Sequence, residues 1–236
     1  MAFSCLLRLG RALVLVAAIL MLPSAVAAKQ SATDVSLFPA PGSYTLARIF
    51  KAPDAWVLEN NPWLPESLSQ YTSDKVTLLS FFYSTCRDPT GCPVIWSIYE
   101  TMHEIIKKDP KLNGKVRLVL ISLDPRSDTP HTLEIFSIAR KDTQKIAPWH
   151  FLTTWSDWFL SDILEKFGQS AGRDIDADGN SLSTISHQVK FFLIDKDSWV
   201  REIYSSGFIK PDVVENDIRT LLMEAGELPA NKQAQH

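Results

Sequence analysis

The sequence predicts an α/β domain, a central mixed sheet flanked by helices on both faces. Three observations predict it. Short apolar runs alternate with segments of helical periodicity from residue 76 onward. The early runs are separated by connections long enough for a crossover helix, which pairs neighbouring strands in parallel. The last two runs are separated only by Asp195-Lys196-Asp197-Ser198, a turn that pairs them antiparallel.

Each element follows from its own residues. Residues 76–83 (VTLLSFFY) form a nearly continuous apolar run, which suits a strand buried on both faces. A helix follows. Pro93 suits its first turn, and Ile95, Ile98, Met102, Ile105 and Ile106 recur at helical spacing. Lys107 and Lys108 fall in its last turn, where cations favour the dipole. Residues 115–123 (KVRLVLISL) read as the next strand. Residues 129–143 read as a helix with Leu133, Phe136 and Arg140 on related faces. Residues 149–153 read as a short strand, and residues 156–167 as a helix capped by Ser156 with Ile163, Leu164 and Phe167 inward. Residues 188–194 and 200–205 make the late hairpin. Residues 211–225 close the domain, with Val214, Ile218, Leu221 and Leu222 inward and Gly226 past the end.

The N-terminus is of a different kind. Residues 1–28 read as a secretory signal peptide. Arg8 and Arg11 form a positive region, residues 12–22 (ALVLVAAILML) are apolar, and Ala25-Val26-Ala27 has the small-x-small pattern of a cleavage site. The apolar run is shorter than the roughly 20 residues a spanning helix needs, which favours cleavage over a retained anchor. The polar stretch 29–44, with two prolines and a glycine, reads as a linker. The domain is expected over 45–226, with 227–236 a flexible tail. The compartment expected is the periplasm or another exported one.

Composition limits the function. A 45% hydrophobic fraction supports a packed core. The formal charge is −3, and no basic run suggests nucleic acid or an anionic lipid surface. Membrane contact is expected only through an uncleaved N-terminal segment or a membrane-bound client.

Cleavage after the signal removes Cys5 and leaves Cys86 and Cys92, in Ser84–Pro93 (STCRDPTGCP), as the whole thiol inventory. Helical cysteines share a face at spacings of three or four, so a spacing of six does not place these two on one helix face. Pro89 and Gly91 favour a folded loop, with Cys92 at the cap of the helix that holds Pro93. The helix N-terminus would favour a Cys92 thiolate. An exported pair can be a structural disulfide, a redox dithiol or part of a metal site. Two thiolates with an imidazole suit copper. Among the histidines, His103 lies turns away along the helix, and His131 and His150 suit structural or exposed roles. His236 belongs to the tail. His187 stands in a loop immediately before the 188–194 strand, from where it can reach the cysteine loop.

At this point the chain resembles the Sco (SenC) family of copper chaperones. The resemblance covers roughly residues 60–225. It is carried by SFFYSTC and CP within residues 80–93, ISLDPRSDTP at 121–130, WHFLT at 149–153 and ISHQVKFFLID at 185–195. It implies a thioredoxin-like fold and copper held by Cys86, Cys92 and His187. The implied partner is a client cuproenzyme such as cytochrome c oxidase, or its assembly factors. The family's cysteines are separated by three residues and these by five, so the loop carries an insertion with Pro89 and Gly91. A peroxiredoxin site does not fit, because Leu79 and Tyr83 stand where its proline and threonine fall before Cys86. A thiol-disulfide oxidoreductase that reduces cysteines of a client metalloprotein is the second reading, and it uses the same cysteines without requiring His187.

Residues 174–180 (DIDADGN) open like a calcium-binding loop, but Ile185 stands where the bidentate glutamate belongs. Calorimetric titration with calcium should therefore show no micromolar binding. Tight binding with a raised melting temperature would overturn the assignment of this stretch as a surface turn.

Overall fold

The computed structural model describes residues 38–89, 91–140 and 146–230. The signal assigned to 1–28, residues 29–37 of the linker and residues 231–236 of the tail lie outside the described residues. Among the described residues, no helix is long and apolar enough to cross a membrane.

A six-stranded mixed sheet forms the centre. Its strands are β1 (Phe50–Lys51), β4 (Val76–Phe82), β5 (Val116–Ser122), β6 (Trp149–Leu152), β9 (Lys190–Ile194) and β10 (Trp199–Ser205), in the order β1-β10-β9-β4-β5-β6. β4 pairs with β5 and β5 with β6 in parallel, as crossover helices require. β9 pairs antiparallel with both β4 and β10, and β1 closes the edge. Ser198 turns the β9–β10 connection with φ of 62°, while Asp195 Oδ1 accepts the N–H groups of Asp197 and Trp199.

The two central strands show why helices cover both faces. Every residue of β4 and β5 is buried. Alternation sends Leu78, Phe82, Leu118 and Leu120 to one face and Leu79, Phe81, Val119 and Ile121 to the other. The first face is covered by α2 (Cys92–Lys108), α3 (Pro130–Ser137) and α5 (Pro211–Glu224), through side chains such as Ile98, Leu133 and Ile218. The second is covered by α1 (Ser69–Thr72) and α4 (Asp157–Lys166), through Tyr71, Ile163 and Leu164. Burying one Leu or Ile side chain contributes about 1.5–3 kcal/mol.

Several expectations are refined. α3 ends at Ser137, before residue 143. Its start is capped by Thr129, whose side-chain oxygen accepts the Thr132 N–H. Ser156 is the N-cap of α4 but makes no side-chain cap bond. Three small elements carry no clear period in the sequence: β2 (Trp56–Val57), β3 (Glu66–Ser67) and α1. A further hairpin, β7 (Ala171–Ile175) with β8 (Ser181–His187), stands apart from the main sheet. The acidic stretch 174–180 ends β7 and forms the turn at 176–180, where Asp176 accepts the N–H groups of Asp178 and Asn180.

Both expected boundaries shift outward. Residues 38–44, expected as linker, lie on α5. Gly42 N–H donates to Thr220 Oγ1, and the Tyr44 hydroxyl donates to Asp217. Asp217 is buried and also accepts the Tyr204 hydroxyl, so its carboxylate needs both donors. Burial and the neighbouring carboxylate push the Tyr44 hydroxyl up to about 12. At the other end, Leu228 is buried against the core, although the tail was expected from 227. Tyr44→Phe should lower the unfolding free energy by about 1–3 kcal/mol, read by urea denaturation. An unchanged midpoint would show that the Asp217 carboxylate gains nothing from this segment.

Candidate metal centre

β4 and β5 run in parallel and end at the same edge of the sheet, so the segments that follow them meet there. After β4 the chain turns at Tyr83, where the Cys86 N–H donates to the Tyr83 carbonyl oxygen. The start of this loop is fixed by Asp128, a fully buried carboxylate from the β5–α3 connection. Asp128 accepts the Ser84 N–H at 2.9 Å and the hydroxyls of Ser84 and Ser122. A desolvated carboxylate requires such donors, and they hold the chain two residues before Cys86.

The loop then closes on itself. A disulfide joins Cys86 and Cys92, whose Cα atoms lie 6.4 Å apart. Asp88 Oδ2 accepts the Gly91 N–H at 3.1 Å, an Asx-type turn that brings the chain back to the helix. Gly91 is the N-cap of α2 and Cys92 its first residue, one position inside the cap expected for it. A Cβ at Gly91 would stand 2.7 Å from Asp88 Oδ2 and 3.2 Å from a Val189 methyl. A side chain at this position would displace the Asp88 carboxylate from its hydrogen bond with the Gly91 N–H.

His187 arrives from the opposite side. It is the last residue of β8, a strand end where a loop was expected. Its ring lies edge-on to Tyr83 at 6.1 Å, and the Tyr83 oxygen accepts the Ile185 N–H. Nδ1 donates to the Ile185 carbonyl oxygen at 3.2 Å, which leaves Nε2 as the unprotonated nitrogen of a neutral ring. Nε2 is buried and has no hydrogen-bond partner. Burial lowers the His187 pKa below its ordinary value, against smaller opposing effects of the Ile185 carbonyl and the Asp88 charge.

Cys86, Cys92 and His187 line one narrow cavity with Tyr83 and Trp96. A wider cleft bordered by Arg87, Asp88, Asp174 and His187 opens beside it. Two sulfurs and a neutral imidazole nitrogen are a soft donor set of the kind copper accepts. With the disulfide closed, no group of three His, Cys, Asp or Glu side chains among the described residues is arranged to hold a metal ion.

The other histidines lie elsewhere. His103 packs on Trp149, His131 is exposed beside Glu134, and His150 bonds Glu59. Spacing in the sequence did not single out Tyr83 or Trp96 for the site. Asp128 stood inside the SLDPRSDTP segment, but its role as acceptor for Ser84 becomes visible only when the two loops meet.

Comparison with known proteins bears on the family and the fold. The SCO1/SenC family model matches residues 67–223. A SCO1 protein homolog of Bacillus subtilis is 28% identical over 147 residues, covering 62% of this chain and 70% of that one. Among solved structures, Arabidopsis thaliana ScoI with copper bound superposes with a TM-score of 0.58 at 15% identity, covering 74% of this chain and 99% of that one. BsSco, described with a disulfide switch and as a member of the Sco family of cytochrome c oxidase assembly proteins, gives 0.55 at 19% identity, with coverage of 75% and 98%. At these identities the structural likeness establishes the fold, which is thioredoxin-like.

Gly91→Ala should cost about 1–2 kcal/mol in the disulfide-intact protein, because the Asp88 carboxylate must leave its hydrogen bond. Urea denaturation reads it, and an unshifted midpoint would show that the Asp88 turn does not hold the loop.

Proposed function

This chain belongs to the SCO1/SenC family, and from that premise we propose that it is an exported copper chaperone whose ligands are Cys86, Cys92 and His187. The observation that carries the reading is the His187 Nε2 lone pair, buried and unpartnered in the cavity that the Cys86–Cys92 disulfide also lines. A buried nitrogen without a partner is costly unless something fills the position.

The proposed cycle is redox-gated. A dithiol donor transfers two electrons and two protons to the disulfide, giving two thiols and leaving the donor oxidised. Copper then displaces the thiol protons and is held by two thiolates and the imidazole. Delivery is ligand exchange to a client cuproenzyme such as cytochrome c oxidase, and it consumes no further reagent. Export rests on the signal pattern of residues 1–28, which supports a periplasm or comparable compartment for the domain that follows.

A second reading has its own observation. The closed disulfide sits at the start of α2, where a Cys92 thiolate would be stabilised as a leaving group. A thiol-disulfide oxidoreductase acting on the cysteines of a client metalloprotein would use this feature and would not need His187.

One variant separates the two. The reduced protein should bind about one Cu(I), and Cys86→Ser with Cys92→Ser should abolish it. His187→Ala should sharply weaken Cu(I) binding in competition with a chelator, while thiol counting shows that the disulfide still forms and is still reduced. Unchanged copper affinity in His187→Ala would reject the ligand role and promote the oxidoreductase reading.

A further inference from the structure

His187 is carried by a hairpin that makes few attachments to the body of the domain. Residues 181–184 of β8 are exposed. The strand register shows how the hairpin is held. Ala171 lies opposite His187, and Arg173 lies opposite Ile185. Directly opposed residues of an antiparallel pair project to the same face, and residues two apart on one strand do so as well. Ala171, Arg173, Ile185 and His187 therefore share the inward face. Gly172 and Ser186 share the outward one, and the register shifts beyond Arg173, where the Ser186 hydroxyl donates to Asp174.

Two inward residues grip the domain. Ile185 is buried in the core cluster on the α4 face of the sheet. The Arg173 guanidinium donates to the Asp124 carboxylate, and these side chains are only 20% and 3% exposed. Asp124 belongs to the same β5–α3 connection as Asp128. Its backbone N–H donates to Ser122 Oγ, and its carbonyl oxygen accepts the Asp128 N–H. Ser122 in turn donates to Asp128, which holds Ser84 ahead of the cysteine loop. One short connection thus grips both halves of the site: the cysteine loop through Asp128 and the histidine hairpin through Asp124.

The geometry points to Arg173 as a positioning residue for the metal site: its ion pair with Asp124 latches the β7–β8 hairpin and so sets where His187 Nε2 lies relative to Cys86 and Cys92. Arg173 acts only through His187 and contributes no ligand of its own. The inward face also explains why arginine is required, because the donor must reach a nearly dehydrated carboxylate, and a planar guanidinium does so while keeping its charge. The affinity consequence rests on the copper reading, whereas the latch itself does not.

The test is made on the full chain with three variants. Arg173→Gln should lower Cu(I) affinity in chelator competition by about 10- to 100-fold, the range for groups that orient a ligand. It should also speed hydrogen exchange at the Ile185 and His187 amides. Because Arg173→Gln strands a buried carboxylate, Asp124→Asn with Arg173→Gln removes the charge at both ends and should give the same losses in a folded protein. In a His187→Ala background, Arg173→Gln should produce no further loss of affinity. Unchanged affinity and exchange in the neutral pair would overturn the latch, as would a full additional loss in the His187→Ala background. If the unmodified reduced protein binds no copper, the copper reading falls and the exchange rates alone decide: faster exchange in the neutral pair upholds the latch, and unchanged exchange rejects it.

Discussion

The buried carboxylate of Asp128 is the interaction on which the functional end of the domain depends. A charge without access to water must be surrounded by donors, and here they include the Ser84 N–H and the hydroxyls of Ser84 and Ser122. Ser84 leads into the cysteine loop, and Ser122 ends β5. Satisfying one carboxylate therefore joins the ends of two parallel strands. That pairing is itself favoured by burial, since β4 and β5 expose no residue to water.

From this frame the chemistry follows by addition. Asp88 accepts the Gly91 N–H, and Gly91, at the start of α2, lies close to Val189. Cys92 then opens the helix, where the N–H groups of the first turn offer partial positive charge to a thiolate. The opposite wall of the cavity is supplied by a hairpin from elsewhere in the chain. Its histidine is kept neutral by burial and kept in one tautomer by the Ile185 carbonyl.

The arrangement sets the disulfide beside a buried imidazole nitrogen that has no hydrogen-bond partner. Burial of that imidazole disfavours its charged form. The cysteine loop is braced at one end by Asp128 and at the other by α2.

The sequence by itself determined the strands and helices that bury a face. Continuous apolar runs made β4 and β5, and helical spacing of Ile95, Ile98, Met102 and Ile106 made α2, because burial leaves a period that can be read without coordinates. It also offered Cys86, Cys92 and His187 as candidate ligands, through residue chemistry and the family resemblance. The tertiary structure alone decided the rest. β2, β3 and the β7–β8 hairpin carry too few buried positions to leave a period, so they are legible only once they have a surface to rest on. His187 was expected in a loop and ends a strand instead, because its partner Ala171 lies in a segment whose pairing no apolar alternation announces. The contacts of Asp128 with Ser84 and of Arg173 with Asp124 span 44 and 49 residues. A hydrogen bond across that distance depends on which strand ends are neighbours, and only the folded sheet makes them so.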